Sequence, residues 1–178
     1  MSFFFRATAL AALFAVAACS PTFNWRELRL TGTPLLALMP CKPESATRPV
    51  PLAGQPVELH MHSCEAGGLR FAVAWADVGS AAQVPVALAA WRSASLQAIR
   101  VAAPTADDAA HRWTVTVAGA PSVLGVSAQG QDPQGQPVQT RTAYFAQGTR
   151  VYQAAVYGAK LPDEAVDTFF AGLRLSPP

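Results

Sequence analysis

Glu58, His60 and His62 occupy every second position of the stretch Val57-Glu58-Leu59-His60-Met61-His62-Ser63-Cys64. Side chains repeat with period two along a strand, so the carboxylate and both imidazoles project from one face. A His-x-His pair beside a carboxylate is a donor set for zinc or copper, and Glu58, His60 and His62 are the candidate metal ligands. The plainer reading is the solvated face of a half-buried strand whose other face, Val57, Leu59 and Met61, builds the core. Successive side chains on one face stand about 6.5 to 7 Å apart, which is wide for a shared ion. The remaining histidine, His111, falls in a polar turn much later in the chain. The sequence contains no Gly-x-Ser-x-Gly, His-Glu-x-x-His or glycine-rich phosphate loop. Asp107 and Asp108 are adjacent carboxylates of the kind that loops solvate. No catalytic residue is assigned and no cofactor is expected, although an envelope hydrolase stays as a further alternative.

The three cysteines carry more specific chemistry. Cys19 ends Val16-Ala17-Ala18-Cys19, which follows Arg6 and an apolar run too short to cross a bilayer, a task that takes about 20 residues. This segment resembles the lipobox of bacterial lipoproteins, with a branched apolar residue three before the cysteine and two small residues ahead of the cleavage point. The resemblance implies removal of residues 1–18, acylation of Cys19 and a durable lipid anchor, since each buried methylene contributes about 0.8 kcal/mol. Ser20 stands where an aspartate would favour the inner membrane, so the implied address is the outer membrane facing the periplasm. Cys41 and Cys64 remain as an even pair, and in an oxidising compartment the expectation for them is a disulfide. Their spacing is not that of a redox or zinc motif.

With 13 basic and 11 acidic residues in 178, the formal charge is +2, which gives no general attraction to nucleic acid. The organisation expected is a signal over 1–18, a lipid-anchored tether over 19–34, and a single α+β domain over 35–178. Within 20–34, Trp25, Leu28 and Leu30 lie among Arg26, Glu27 and Arg29, which suits either a headgroup contact or a short edge strand.

Strand patterns follow over Leu35 to Met39, Arg48 to Leu52, Val57 to Cys64 and Leu69 to Ala76. The prolines at 40, 43, 49 and 51 suggest edges or breaks in the first two. In the last, Leu69, Phe71, Val73 and Trp75 alternate with Arg70, Ala72, Ala74 and Ala76, and a helix from about Ser80 to Arg100 is expected to cover the bulky row. Val84, Leu88, Trp91, Ser95, Ala98 and Ile99 form its stripe, with Pro85 in the first turn. Further strands are expected at Trp113, Val115 and Val117, at Val123 to Ala128, and in a hairpin of Val138 to Phe145 with Arg150 to Tyr157. A last helix opens at Pro162-Asp163-Glu164 and stops at Gly172. Trp75, Trp91, Trp113, Phe169 and Phe170 are expected in the core. In the hairpin, Arg141, Tyr144, Arg150 and Tyr152 mix cations and phenols in the manner of a contact surface.

Strands, helix, strands and helix joined by hairpin-length links specify an α+β fold, an antiparallel sheet with helices packed against it. Leu38-Met39-Pro40-Cys41-Lys42-Pro43, Glu58 to Glu65, Tyr152-Gln153 and Phe169 to Leu175 together resemble exported bacterial proteins with a fold like the PsbP subunit of photosystem II. The resemblance covers residues 35 to 175. Where that group has glycine before the first lysine and commonly an aromatic later, this chain has Cys41 and Cys64, and the paired departure implies a bridge between neighbouring strands. The resemblance implies a binding or assembly module without catalytic activity. Its partners would be the membrane, through the N-terminal lipid, and an envelope protein or peptidoglycan.

Overall fold

The computed structural model describes residues 22–101 and 111–176, so Cys19, Ser20, the signal segment, Asp107 and Asp108 lie outside the described residues. Ten strands and two helices follow one another as β1 (Arg26–Arg29), β2 (Leu35–Met39), β3 (Glu44–Leu52), β4 (Gln55–Ala66), β5 (Leu69–Asp77), α1 (Val84–Ala98), β6 (Arg112–Trp113), β7 (Val123–Gln131), β8 (Pro137–Gln147), β9 (Arg150–Gly158), α2 (Asp163–Ala171) and β10 (Arg174–Leu175). Among the described residues they build a seven-stranded sheet in the order β3-β4-β5-β9-β8-β7-β6 and a three-stranded sheet in the order β1-β2-β10. All ladder pairings are antiparallel. The expected α+β class is therefore observed.

The centre of the large sheet is buried on both faces, and β5 shows why. Leu69, Phe71, Val73 and Trp75 point to one face, where they join Phe145, Tyr152, Val156 and the rings of Phe169 and Phe170 from α2. The small sheet closes that side through Leu30, Leu35, Ala37 and Met39. Ala74 and Ala76 point the other way and meet Ala87, Trp91, Leu96 and Ile99. Helix α1 thus covers the alanine row and not the bulky row expected from the sequence. The reason is steric: two layers pack about 10 Å apart, so a helix presenting Trp91 and Leu96 needs small residues beneath it. The helix phase is correspondingly turned, with Ala87 and Leu96 buried and Ala98 exposed. A 3-10 turn, Ala81–Gln83, precedes it, and Pro85 lies in its first turn as its missing N–H requires.

Two further expectations are modified. β2 is not an edge but the central strand of the small sheet, because Pro40 follows its last residue and removes no donor from the ladder. The strand expected through Val117 ends at Trp113. The chain then leaves the large sheet, buries Val117 in the ring-lined core and meets β10 through an isolated bridge between Ala118 and Arg174. Gly125 makes that departure possible, since a Cβ there would overlap the Trp113 carbonyl oxygen. Arg26–Arg29, for which a headgroup contact or a short edge strand was expected, forms β1, an edge strand against β2. β3 is one outer strand of the large sheet, β6 being the other, with Pro49 and Pro51 opposite Glu58 and Pro56.

Cys41 and Cys64 form a disulfide, with Cα atoms 6.0 Å apart and a sequence separation of 23. It joins the chain just beyond β2 to β4, and so ties the small sheet to the large one. No helix among the described residues is long and apolar enough to cross a membrane.

Candidate functional site

Glu58, His60, His62 and Cys64 do share a face of β4, and it is the face that Phe71, Val73 and Trp75 occupy on β5. Register places Thr47 of β3 opposite His60, and Ser45 opposite His62. Both pairs are hydrogen-bonded: Thr47 Oγ1 lies 3.0 Å from His60 Nδ1 and Ser45 Oγ lies 2.7 Å from His62 Nδ1. The result is a two-rung ladder of hydroxyls and imidazoles on the margin of the sheet, with β3 exposed along most of its length. On its inner side His60 stacks on the Trp75 indole, centroids 4.1 Å apart and planes 15° from parallel. The Arg150 guanidinium lies 5.9 Å from the same ring. Burial holds the His62 pKa below its ordinary value of 6.5, and the charge of His60 acts in the same direction.

Chemically the ladder offers hydroxyl and imidazole groups to a polar ligand. Among the described residues, no group of three or more His, Cys, Asp or Glu side chains is placed to hold an ion. Strand spacing keeps Glu58, His60 and His62 in a row instead of around a point. Ser45 and Thr47 were not identified from the sequence. Their spacing of two on β3 matches that of the histidines on β4, but the match has meaning only once the register is known.

At the other end of β4, an open cleft of about 400 Å³ lies over the disulfide, lined by Cys41, Lys42, Glu44, Ser63, Cys64, Glu65 and Arg70. Arg70 and Glu65 form an ion pair of 2.6 Å across its rim, both more than half exposed, so the pair contributes less than about 1 kcal/mol. The cleft is polar and charged, with both signs present.

The expected contact surface of Arg141, Tyr144, Arg150 and Tyr152 does not exist as one surface. Tyr144 and Tyr152 are buried, and they point to opposite faces of the sheet because they stand opposite Gln153 and Phe145 respectively. Tyr144 receives a 3.2 Å hydrogen bond from Gln153 Nε2, which also reaches Ser95 Oγ of α1 at 2.8 Å. Tyr152 exchanges a 2.8 Å hydrogen bond with Thr33. Burial raises the pKa of both phenols. Arg141 lies 5.6 Å from the Trp113 ring and donates to Ser127 Oγ, and Arg150 stands 4.0 Å from Asp77. The phenol hydroxyls are internal hydrogen-bonding groups whose cost of burial is met by these partners. Trp75, Trp91, Phe169 and Phe170 are buried as expected, and Trp113 is half-buried against Phe170 at 4.6 Å.

No protein-family model matches the chain, and comparison with curated proteins finds no match.

Proposed function

We propose that the protein is an exported, lipid-anchored envelope protein that binds a polar partner or assists its assembly. The observation that carries this reading is the cysteine inventory. Of three cysteines, Cys41 and Cys64 are bonded to each other, and the one left over is Cys19, at the end of Val16-Ala17-Ala18-Cys19. A structural disulfide is at home outside the reducing cytosol, and a leftover cysteine at that position is the acceptor that acyl transfer needs. Ser20 supports the outer membrane, with the domain in the periplasm. The finer fold assignment, a PsbP-like sandwich, rests on the residue resemblance and on an antiparallel sheet covered on both faces.

The contact region assigned here is the open margin of β3 and β4 around Ser45, Thr47, His60 and His62, with an envelope protein or peptidoglycan as partner. Its test has two parts. A mass spectrum of the protein recovered from envelopes should show acyl groups on Cys19 and residues 1–18 removed. A photo-crosslinking residue at Thr47 should give a discrete adduct in whole cells, while the same residue at Val86, exposed on α1, should not. An unmodified N-terminus, or adducts equal at both positions, refutes the assignment.

A hydrolase is the second reading, and one observation favours it. Ser45 Oγ sits 2.7 Å from an imidazole nitrogen whose depressed pKa keeps it unprotonated near neutrality, as a general base requires. Turnover of simple esters that Ser45→Ala abolishes would establish it, and no turnover would remove it.

A further inference from the structure

The chain joins the fold at once. A Cβ on Gly67, in the turn between β4 and β5, would lie 2.8 Å from Phe23 Cζ and 3.1 Å from Thr22 Cγ2. Phe23 packs its ring edge-on against Phe71 with centroids 6.1 Å apart, and Trp25 does the same at 6.0 Å. The next backbone N–H, of Asn24, donates to Pro40 O at 2.8 Å. The body therefore begins at Phe23, and only Ser20, Pro21 and Thr22 separate it from Cys19. Even fully extended, that length puts the Cys19 Cα no more than about 14 Å from that of Phe23. The segment is too short to let the domain drift away from, or tumble freely above, whatever Cys19 is attached to.

The same end of the molecule carries the chain's two lysines. Lys42 lines the cleft beside Cys41, together with Arg70 next to the β4–β5 turn. Lys160 follows the end of β9, where a Cβ on Gly158 would lie 3.2 Å from Lys160 O and 3.4 Å from Gly68 O. Lys42, Arg70 and Lys160 are all exposed, as are Gly67 and Gly68. Arg70 and Glu65 neutralise each other and Glu44 shares the cleft with Lys42, while Asp163 and Glu164 open α2, where the positive end of the helix dipole offsets them. The groups that reach outward to headgroups are therefore the amines of Lys42 and Lys160. Long flexible amines are the side chains that reach phosphate headgroups from a surface of this kind.

From these observations we infer that the β4–β5 turn, with Lys42 and Lys160 around it, is the face that rests on anionic lipid headgroups. The inference builds on the lipid anchor proposed above. β5 is nine residues long, so the opposite end stands on the order of 30 Å further out. That outer end holds Gly32 against Trp75, and Ser176, whose N–H donates to Pro34 O at 3.1 Å. The ladder of Ser45, Thr47, His60 and His62 runs along the side between the two ends.

The test uses the full-length lipidated protein in vesicles of phosphatidylethanolamine and phosphatidylglycerol, treated with a water-soluble amine-acylating reagent. Modification at Lys42 and Lys160 should be several-fold slower in vesicles than in detergent. The amine added by Gln55→Lys, at the outer end, should react equally fast in both. Inserting about 20 Gly/Ser residues after Ser20 should restore the rate at both native lysines. If the protein carries its acyl groups and Lys42 and Lys160 react alike in vesicles and detergent, the orientation is overturned while the anchor stands. If Q55K is protected as well, the orientation is likewise overturned. A mass spectrum without acyl groups overturns the anchor itself and this inference with it.

Discussion

Breaking the Cys41–Cys64 bond should lower the stability of the folded domain by about 3 kcal/mol, the value that chain entropy gives for a loop of sequence separation 23. The figure comes from the unfolded state, which regains the freedom that the bond removes. For a domain of this length each kcal/mol moves Tm by about 2 to 4 °C, so a shift of about 6 to 12 °C is expected. In urea the midpoint should fall by on the order of 1 to 2 M, with a steeper slope because the uncrosslinked unfolded chain exposes more surface. The assay is urea denaturation of the chain lacking residues 1–19, followed by tryptophan fluorescence, with and without reductant. Reduction leaves both sulfur atoms in place and so isolates the crosslink from the packing of Cys64, which is buried. Cys41→Ala, Cys64→Ala and the double variant should lose nearly the same amount, and reductant should have no effect on the double variant. A loss under about 1 kcal/mol on reduction, or a double variant that reductant still destabilises, would refute the reasoning.

Gly125→Ala should cost more than about 2 kcal/mol in the same assay, because the new methyl meets the backbone of Trp113 and no rotamer can relieve it. Phe71→Ala, which removes a fully buried ring touching Phe23, Trp25 and Phe169, should cost about 3 to 5 kcal/mol. His62 is harder to protonate in the folded state than in the unfolded state, so its contribution is intact above pH 6.5 and lost as the pH falls through the lower folded value. Denaturation midpoints between pH 7.5 and 5 should therefore decline, and His62→Gln should flatten the decline. Burial raises the Tyr157 pKa to about 12, so its ultraviolet titration should lag behind that of an unfolded control, and stability should fall as the pH rises above 10.

Much of this architecture can be read from alternation alone. The strands from Val57 onward, the hairpin of β8 and β9, and the start and end of α2 follow from period-two patterning, glycine turns and first-turn carboxylates. The side of the sheet each element covers cannot be read that way. β5 is apolar on both faces, bulky on one and alanine on the other, so hydrophobicity does not choose a partner for α1, whereas side-chain volume does. Tyr144 and Tyr152 mislead for a related reason. A phenol near an arginine has the composition of a contact surface, but Gln153, across the hairpin, and Thr33, distant in sequence, provide internal partners for the two hydroxyls. The hydroxyl partners of His60 and His62 likewise depend on the β3–β4 register, to which the pattern of β4 itself is indifferent.

β3, at one margin of the large sheet, has a protective consequence. Pro49 and Pro51 stand two apart on β3, so their nitrogens face the same direction, and neither carries a hydrogen to donate. An incoming chain seeking to extend the sheet there would find two missing donors in succession, with Arg48 projecting nearby. Neighbouring copies of the chain are thereby denied the continuous hydrogen-bonding seam that fibrils propagate along, and replacing both prolines with threonine should open it.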